Sequence, residues 1–219
     1  MFSKENAESG SQSAKLSWQQ GTSGYATANG EFYYPTVVGK GSELWIRAYY
    51  YFKSPWSWST PGGSVIKILR SAVKTSGGAN AGMLSVFSNT RGQITLSDEL
   101  LTTNITEFPT GTYFDIDKWQ CIEMYIYFSD TNPIFRIWKN GVLVVEDRTK
   151  RTLRSSTDVA HMTTMHYWNG MAPQNQTEYV DNFIITTDRP AKRDANGNYM
   201  IGPVDGTVAP GTPQALMVR

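Results

Sequence analysis

The sequence predicts an all-β protein, built as a two-sheet antiparallel jelly-roll sandwich with little helix. Apolar and polar residues alternate with a period of two over long stretches, most clearly over 43–53 and 119–128. Asn140-Gly141 joins two β-rich runs, which is typical of a type I′ hairpin turn. Helix signals are confined to one short segment, 98–103. About nine to twelve strands separated by glycine, proline and asparagine indicate a sandwich.

Each strand candidate follows from this alternation. Segment 43–53 places the apolar row that runs from Leu44 to Phe52 on one face and a polar, aromatic row on the other. The remaining candidates are 13–18, 64–70, 83–89, 93–97, 119–128, 134–139, 142–148, 159–168 and 177–187. The residues from Asn89 to Gly92 predict a hairpin connection between two of them.

Composition narrows the class of protein. The 219 residues carry 20 Lys+Arg against 19 Asp+Glu, and 40% of them are hydrophobic, which is a globular composition. The near-neutral charge lacks the basic footprint of a nucleic-acid-binding protein. No apolar stretch is long enough for membrane insertion. The single cysteine, Cys121, excludes an intramolecular disulfide, and two histidines exclude a His-rich metal centre.

The two ends of the chain differ from the middle. Residues 1–190 are expected to form the sandwich, and the Gly/Pro-rich residues 191–219 a C-terminal tail or linker. The polar start, 1–13, has no signal-peptide pattern, so either the protein is not exported by that route or a signal has been removed.

The second half of the chain resembles the concanavalin A-like jelly-roll superfamily of lectins, laminin-G-like domains and polysaccharide lyases. The resemblance is carried by the segments 117–125 (DKWQCIEMY), 136–142 (RIWKNGV) and 179–187 (YVDNFIITT), and it extends over about residues 10–190. It describes a fold, and a shared fold does not transmit an activity.

The resemblance implies a glycan-binding surface, since the curved sheet of this fold usually binds glycans on its concave face. Tyrosine rings stack on sugar C–H faces, and Arg and Glu bond hydroxyls or carboxylates. The expected ligand-binding residues are Arg47, Tyr49, Tyr51, Trp56, Trp58, Glu123, Tyr125 and Tyr127. The main functional expectation is therefore non-catalytic binding of a polysaccharide through a polar-aromatic concave face.

The alternative is a polysaccharide lyase that cleaves a uronate-containing glycan by β-elimination. This reaction needs a cation or amide that neutralises a carboxylate and a Tyr or His that moves protons. Residues of these types are Arg47, Tyr49, Tyr125 and His166 as the preferred set, with Lys67 and His161 beside them. The signatures of the familiar alginate lyases of this fold are missing. A glycoside hydrolase is disfavoured because no strand carries its alternating carboxylates.

Two further expectations concern cofactors and partners. Calcium is common in this fold, and Asp194-Ala-Asn196-Gly-Asn198 resembles half of a calcium loop, although a plain turn is the favoured interpretation. A structural or assembly subunit of a virion or filament is a third functional class, in which the terminal arms, 1–12 and 189–219, would mediate self-assembly. An extracellular or particle-associated location is expected in each case.

Overall fold

The computed structural model describes residues 2–25, 31–60, 66–100, 106–168 and 170–204. In chain order, its strands are β1 (Phe2–Ser3), β2 (Ser13–Trp18), β3 (Gly24–Tyr25), β4 (Glu31–Val38), β5 (Glu43–Lys53), β6 (Ile66–Lys74), β7 (Asn80–Ser88), β8 (Gln93–Asp98), β9 (Thr106–Tyr113), β10 (Gln120–Tyr127), β11 (Ile134–Lys139), β12 (Val142–Asp147), β13 (Val159–Trp168), β14 (Gln176–Thr186), β15 (Lys192–Arg193) and β16 (Tyr199–Met200).

The strands form two large antiparallel sheets. Sheet A has the spatial order β1-β2-β14-β5-β10-β11-β12, and sheet B has the order β3-β13-β6-β7-β8-β9, with β4 also paired to β13. Strands β15 and β16 form a separate short hairpin. The predicted two-sheet antiparallel jelly roll is confirmed.

The core lies between the two sheets, where the apolar rows meet. Leu44 and Ile46 of β5 belong to the same buried cluster as Ile122 of β10 and as Val86 and Leu96 of sheet B. The alternation in the sequence therefore identifies the inward faces of these strands correctly, because every second side chain points away from water.

The predicted turns are confirmed by backbone conformation. Asn140 and Gly141 have φ values of 51° and 79°, as a type I′ turn between β11 and β12 requires. Between β7 and β8, the Asn89 Oδ1 accepts the N–H groups of Arg91 and Gln93 at 2.9 and 3.1 Å.

Strands β4 and β9 are not predicted by the sequence, because Pro35 lies within one and Pro109 and Gly111 within the other. Strand β9 is an edge strand, where the missing N–H of a proline is tolerated.

The helix expected over 98–103 is wrong for the part that the structure describes. Asp98 ends β8, and its Oδ1 accepts the Leu100 N–H at 2.8 Å, while 101–103 lie outside the described residues. None of the described residues forms a helix that is long and apolar enough to cross a membrane.

Candidate functional site

Four of the residues expected to bind glycan lie together on the outer face of sheet A. Glu123 of β10 pairs directly with Arg47 of β5, and Cys121 pairs with Tyr49. Directly paired residues of antiparallel strands share a face, so Tyr125, two residues beyond Glu123, lies on it too. Arg47, Tyr49, Glu123 and Tyr125 therefore lie on one face of sheet A.

This surface is covered by the C-terminal segment 199–204. The Glu123 carboxylate accepts the N–H groups of Ile201 and Gly202 at 2.7 and 2.8 Å. Arg47 Nη1 donates to the Gly202 carbonyl at 3.1 Å, and the Tyr49 hydroxyl accepts the Val204 N–H at 2.7 Å.

The expectation that Arg47, Tyr49, Glu123 and Tyr125 form an open sugar-binding face is therefore wrong in this structure. Glu123 is only 1% exposed, and all four side chains are buried. The physical reason is that backbone groups of residues 199–204 satisfy most of these polar side chains. Such backbone partners do not depend on the side-chain sequence of the covering segment.

Tyr51 and Tyr127 lie at the margin of this covered surface and are partly exposed. The Tyr51 hydroxyl donates to Asp117 Oδ1 at 3.4 Å, and its ring lies 5.5 Å from the ring of Trp119. Tyr127 packs beside the small buried cluster that contains Trp45 and Tyr125. Their predicted role in glycan binding stays a prediction.

Trp56 and Trp58 are among the residues expected to bind glycan, but the structure does not place them on an open surface. Both are buried in the main core, where their rings lie 4.8 and 4.7 Å from the ring of Phe52. Gly92 allows this packing, because a Cβ there would lie 2.5 Å from Trp58 Nε1.

His166 lies between the sheets rather than with the residues predicted to act beside it. Its Nδ1 contacts the buried carboxylate of Glu178, and its Nε2 accepts the Trp168 indole N–H at 3.1 Å. The predicted catalytic set of Arg47, Tyr49, Tyr125 and His166 is therefore not brought together. His161 is also separate, with its ring 6.3 Å from that of Tyr33.

A different polar surface lies on the outer face of sheet B. Two parallel rows of side chains cross this face, and each row contains directly paired residues of β13, β6, β7 and β8. The first row is Tyr167, Lys67, Phe87 and Thr95, and the second is Thr164, Arg70, Ser85 and Ser97.

Lys67 and Arg70 share this face because β6 is irregular. Residues three apart in a regular strand point to opposite faces. The register of β6 against β7 shifts between Lys67 and Leu69, so that Ile68 and Leu69 both lie in the core. The extra residue in β6 places the Arg70 side chain on the same face of sheet B as Lys67.

The two cations meet one carboxylate and one aromatic ring. Lys67 Nζ lies 2.8 Å from Glu99 Oε1, and Arg70 Nη2 lies 3.8 Å from Oε2 of the same carboxylate. The Tyr167 ring centroid lies 5.5 Å from Lys67 Nζ and 5.4 Å from Arg70 Cζ. Burial is the main cause that lowers the pKa of Lys67, with Arg70 acting in the same direction and Glu99 against it.

Buried hydroxyl groups lie beside these charges. Among the described residues, no hydrogen-bond partner exists for Ser85 Oγ, Thr95 Oγ1, Ser97 Oγ or Thr164 Oγ1, although all four atoms are buried. Buried hydroxyls in proteins are normally satisfied, so this row is an exception that marks an unusually polar part of the sheet B face. We call the two rows together with Glu99 the sheet B site.

Sequence reasoning missed this site, although it named Lys67 as a residue of a suitable type. Strict alternation over 64–70 assigns Lys67 and Arg70 to opposite faces, because the irregularity in β6 leaves no clear mark in the sequence. A usable signal was the polar pattern of Gln93, Thr95 and Ser97, which alternates with apolar residues along β8.

At Asp194 the structure has the plain turn that the sequence favoured over a calcium loop. Asp194 Oδ1 accepts the N–H groups of Asn196 and Asn198 at 2.8 and 2.9 Å, and Oδ2 accepts the Trp138 indole N–H at 2.8 Å. Both carboxylate oxygens are thus engaged by protein donors, which leaves a turn rather than an ion site.

No family model and no curated protein matches the chain. Solved structures do match. An endo-β-1,4-glucuronan lyase from the fungus Trichoderma reesei superimposes with a TM-score of 0.65 at 15% identity, over 86% of this chain and 90% of that one. A marine alginate lyase from Aplysia kurodai gives 0.65 at 13% identity, over 85% and 86%.

The alginate lyase vAL-1 from Chlorella virus gives a TM-score of 0.63 at 9% identity, over 85% of this chain and 89% of that one. At these identities, the matches show a shared jelly-roll fold and not a shared activity.

Proposed function

We propose that this protein is a polysaccharide lyase that cleaves a uronate-containing glycan by β-elimination in the sheet B site. The observation that carries the proposal is that Lys67, Arg70 and Tyr167 meet on one face beside a row of buried, unsatisfied hydroxyls. The similar folds of a glucuronan lyase and two alginate lyases support it.

The reaction makes specific demands on such a site. A base removes the proton from C5 of the uronate, the C4–O bond breaks, and its electrons leave with the oxygen. The C5–H electrons form the C4=C5 double bond, and the departing oxygen takes up a proton. No water is consumed. The proton at C5 becomes acidic enough only when the neighbouring carboxylate is neutralised.

The residues of the sheet B site meet these demands. The Lys67 ammonium and the Arg70 guanidinium neutralise the substrate carboxylate, because cations beside a partly buried anion stabilise the charge that develops on it. The Tyr167 hydroxyl transfers the proton, and the contacts of its ring with Lys67 and Arg70 hold it beside the two cations.

Glu99 orients the cations before the substrate arrives. Its carboxylate contacts both Lys67 and Arg70, and its backbone N–H donates to the Met83 carbonyl at 2.9 Å. When the substrate binds, its carboxylate replaces Glu99 in part of the ion pairing with Lys67 and Arg70.

The test is an ultraviolet absorbance assay for unsaturated products, run against polyglucuronate, the two homopolymer blocks of alginate and a neutral glucan. We expect absorbance to rise with at least one polyuronate and not with the glucan. Lys67→Met should lower the rate about 100-fold or more. Lys74→Met, at the end of the same strand, should leave it unchanged.

A flat trace with every polyuronate, from protein that melts cooperatively, would overturn the lyase proposal. If the same protein is retained by a polyuronate resin, the non-catalytic binding expected from the sequence replaces it. If it sediments as a large particle and binds no glycan, the assembly class replaces both.

The expected extracellular location belongs to this proposal, since polymeric glycans do not cross membranes to reach an internal enzyme. Recovery of the protein only from the cell interior would contradict it.

A further inference from the structure

A cavity of about 360 Å³ opens at one end of sheet A, where β2, β5 and β14 lie side by side. Lys53, Ser54 and Pro55 line it from one side, and Asn175 and Gln176 line it from another. Its volume lies within the range of small-ligand sites, at about 300–1,000 Å³.

The walls of this cavity are fixed by side-chain amides. Gln176 Oε1 accepts the Ser57 N–H at 3.1 Å, and Gln174 Nε2 donates to the Pro55 carbonyl at 2.8 Å. Asn175 Oδ1 accepts the Gln20 N–H at 2.8 Å. These bonds tie two loops to the start of β14, so the cavity is largely preformed. Preformed sites lose less entropy on binding.

The chemistry of the cavity suits an acidic sugar. Lys53 has a half-exposed side chain, and its Nζ lies 3.9 Å from an exposed carboxylate, Glu5 Oε2, which leaves its hydrogen-bonding capacity available to a ligand. Trp18 also lines the cavity, and its buried indole N–H has no acceptor among the described residues.

An aromatic pair continues the same surface. Tyr51 lies two residues before Lys53 on β5 and therefore shares its face, and the partly exposed rings of Tyr51 and Trp119 lie 5.5 Å apart. Aromatic rings beside cations and amides are the common combination for holding sugars.

We propose that this cavity is a second glycan site, which holds a uronate unit through Lys53 and Asn175 while the adjacent sugar packs on Tyr51 and Trp119. The cavity opens at one end of sheet A, and the sheet B site lies on the outer face of the other sheet. A short oligosaccharide bound in the sheet B site therefore does not need the cavity. The site anchors the polymer, and raises its local concentration at the sheet B site.

The uronate ligand assigned to the cavity rests on the proposed function, and the following experiment tests the cavity site and the lyase activity separately. Affinity electrophoresis through gels that contain polyglucuronate or alginate measures polymer binding without turnover. We expect the gels to retard the wild-type protein. Lys53→Ala should raise the apparent dissociation constant about tenfold, as expected for the loss of one charge-assisted hydrogen bond.

Asn175→Asp is the second variant. It keeps the acceptor for the Gln20 N–H and replaces the amide donor by a negative charge, so it should weaken retardation at least as much as Lys53→Ala. Lys40→Ala is the matched control, since Lys40 precedes the opposite end of β5 and its exposed ammonium contacts Asp130 at 2.8 Å. It should leave retardation unchanged.

Cleavage of a short oligouronate is the independent readout. Lys53→Ala and Asn175→Asp should leave its rate unchanged while slowing cleavage of the polymer. If the protein cleaves nothing but the two variants still lose retardation, the cavity site stands and the lyase proposal fails. Unchanged retardation of both variants, or an equal loss in Lys40→Ala, would overturn the cavity site.

Discussion

The Glu123 carboxylate accepts the backbone N–H of Gly202 at 2.8 Å, although the two residues are 79 positions apart in the chain. The second carboxylate oxygen accepts the N–H of Ile201 at 2.7 Å. Together with Arg47 and Tyr49, Glu123 holds the C-terminal segment on sheet A and closes a surface that would otherwise be open to solvent.

This arrangement predicts a pH dependence of stability. Burial raises the pKa of Glu123 from 4.5 to about 7. An acid with a raised native pKa binds its proton more tightly in the folded state, so its contribution to the free energy of unfolding is complete below pH 4.5 and is lost as the pH rises through about 7. The loss should approach about 3 kcal/mol.

Urea unfolding of the wild type and Glu123→Gln at several pH values measures this contribution. The variant cannot ionise, so its stability relative to the wild type should increase over that pH interval. Other titrating groups cancel in the difference. Parallel stability profiles for the two proteins would contradict the assignment.

Tyr125→Ala should destabilise the fold, rather than weaken sugar binding as an exposed residue would. The Tyr125 ring lies 4.9 Å from that of Trp45 and is 4% exposed, so its loss should cost about 3 kcal/mol or more. Tyr125→Phe loses only the hydroxyl bond to Glu43 and should cost about 1 kcal/mol. Thermal melting compares the two, and a nearly unchanged melting temperature for Tyr125→Ala would show that the ring is dispensable to the core.

Gly82→Ala should destabilise the protein and displace Glu99. Gly82 has a φ of 118°, and a Cβ there would lie 2.3 Å from the Glu99 carbonyl oxygen. The expected cost is about 2–3 kcal/mol. Gly78→Ala is the control, because Gly78 also has a positive φ but no atom within 4 Å of its added Cβ, and it should cost about 1 kcal/mol. Equal losses in denaturant titrations would show that the contact with Glu99 is relaxed without cost.

Tyr167→Phe tests the proton-transfer role. The substitution keeps the ring beside Lys67 and Arg70 and removes only the hydroxyl, so binding of a polyuronate should persist while the rate of elimination falls about 10²–10⁴-fold. Rates come from the ultraviolet assay, and binding comes from retention on a polyuronate resin. A rate within a few-fold of the wild type would remove Tyr167 from the reaction and leave Lys67 as the candidate base.

Most of the fold follows from the sequence alone. The segments 13–18, 43–53, 134–139 and 159–168 coincide with β2, β5, β11 and β13. The alternation is clearest in 13–18 and 43–53, where every second residue is apolar and a strand buries that row on one side. The edge strands β4 and β9 were not predicted, because prolines and a glycine interrupt the alternation in their sequences. A strand at the edge of a sheet tolerates these residues.

The sequence by itself determined the two-sheet sandwich, its inward rows and the turn at Asn140-Gly141, because each depends on residues near one another in the chain. Tertiary structure alone decided which polar faces are available. Residues 199–204 cover the face of Arg47 and Glu123 through backbone groups that every sequence possesses. The irregularity in β6 brings Lys67 and Arg70 together against the local alternation. Both features depend on contacts between segments that are distant in the chain, and the periodicity of a single segment carries no information about such contacts.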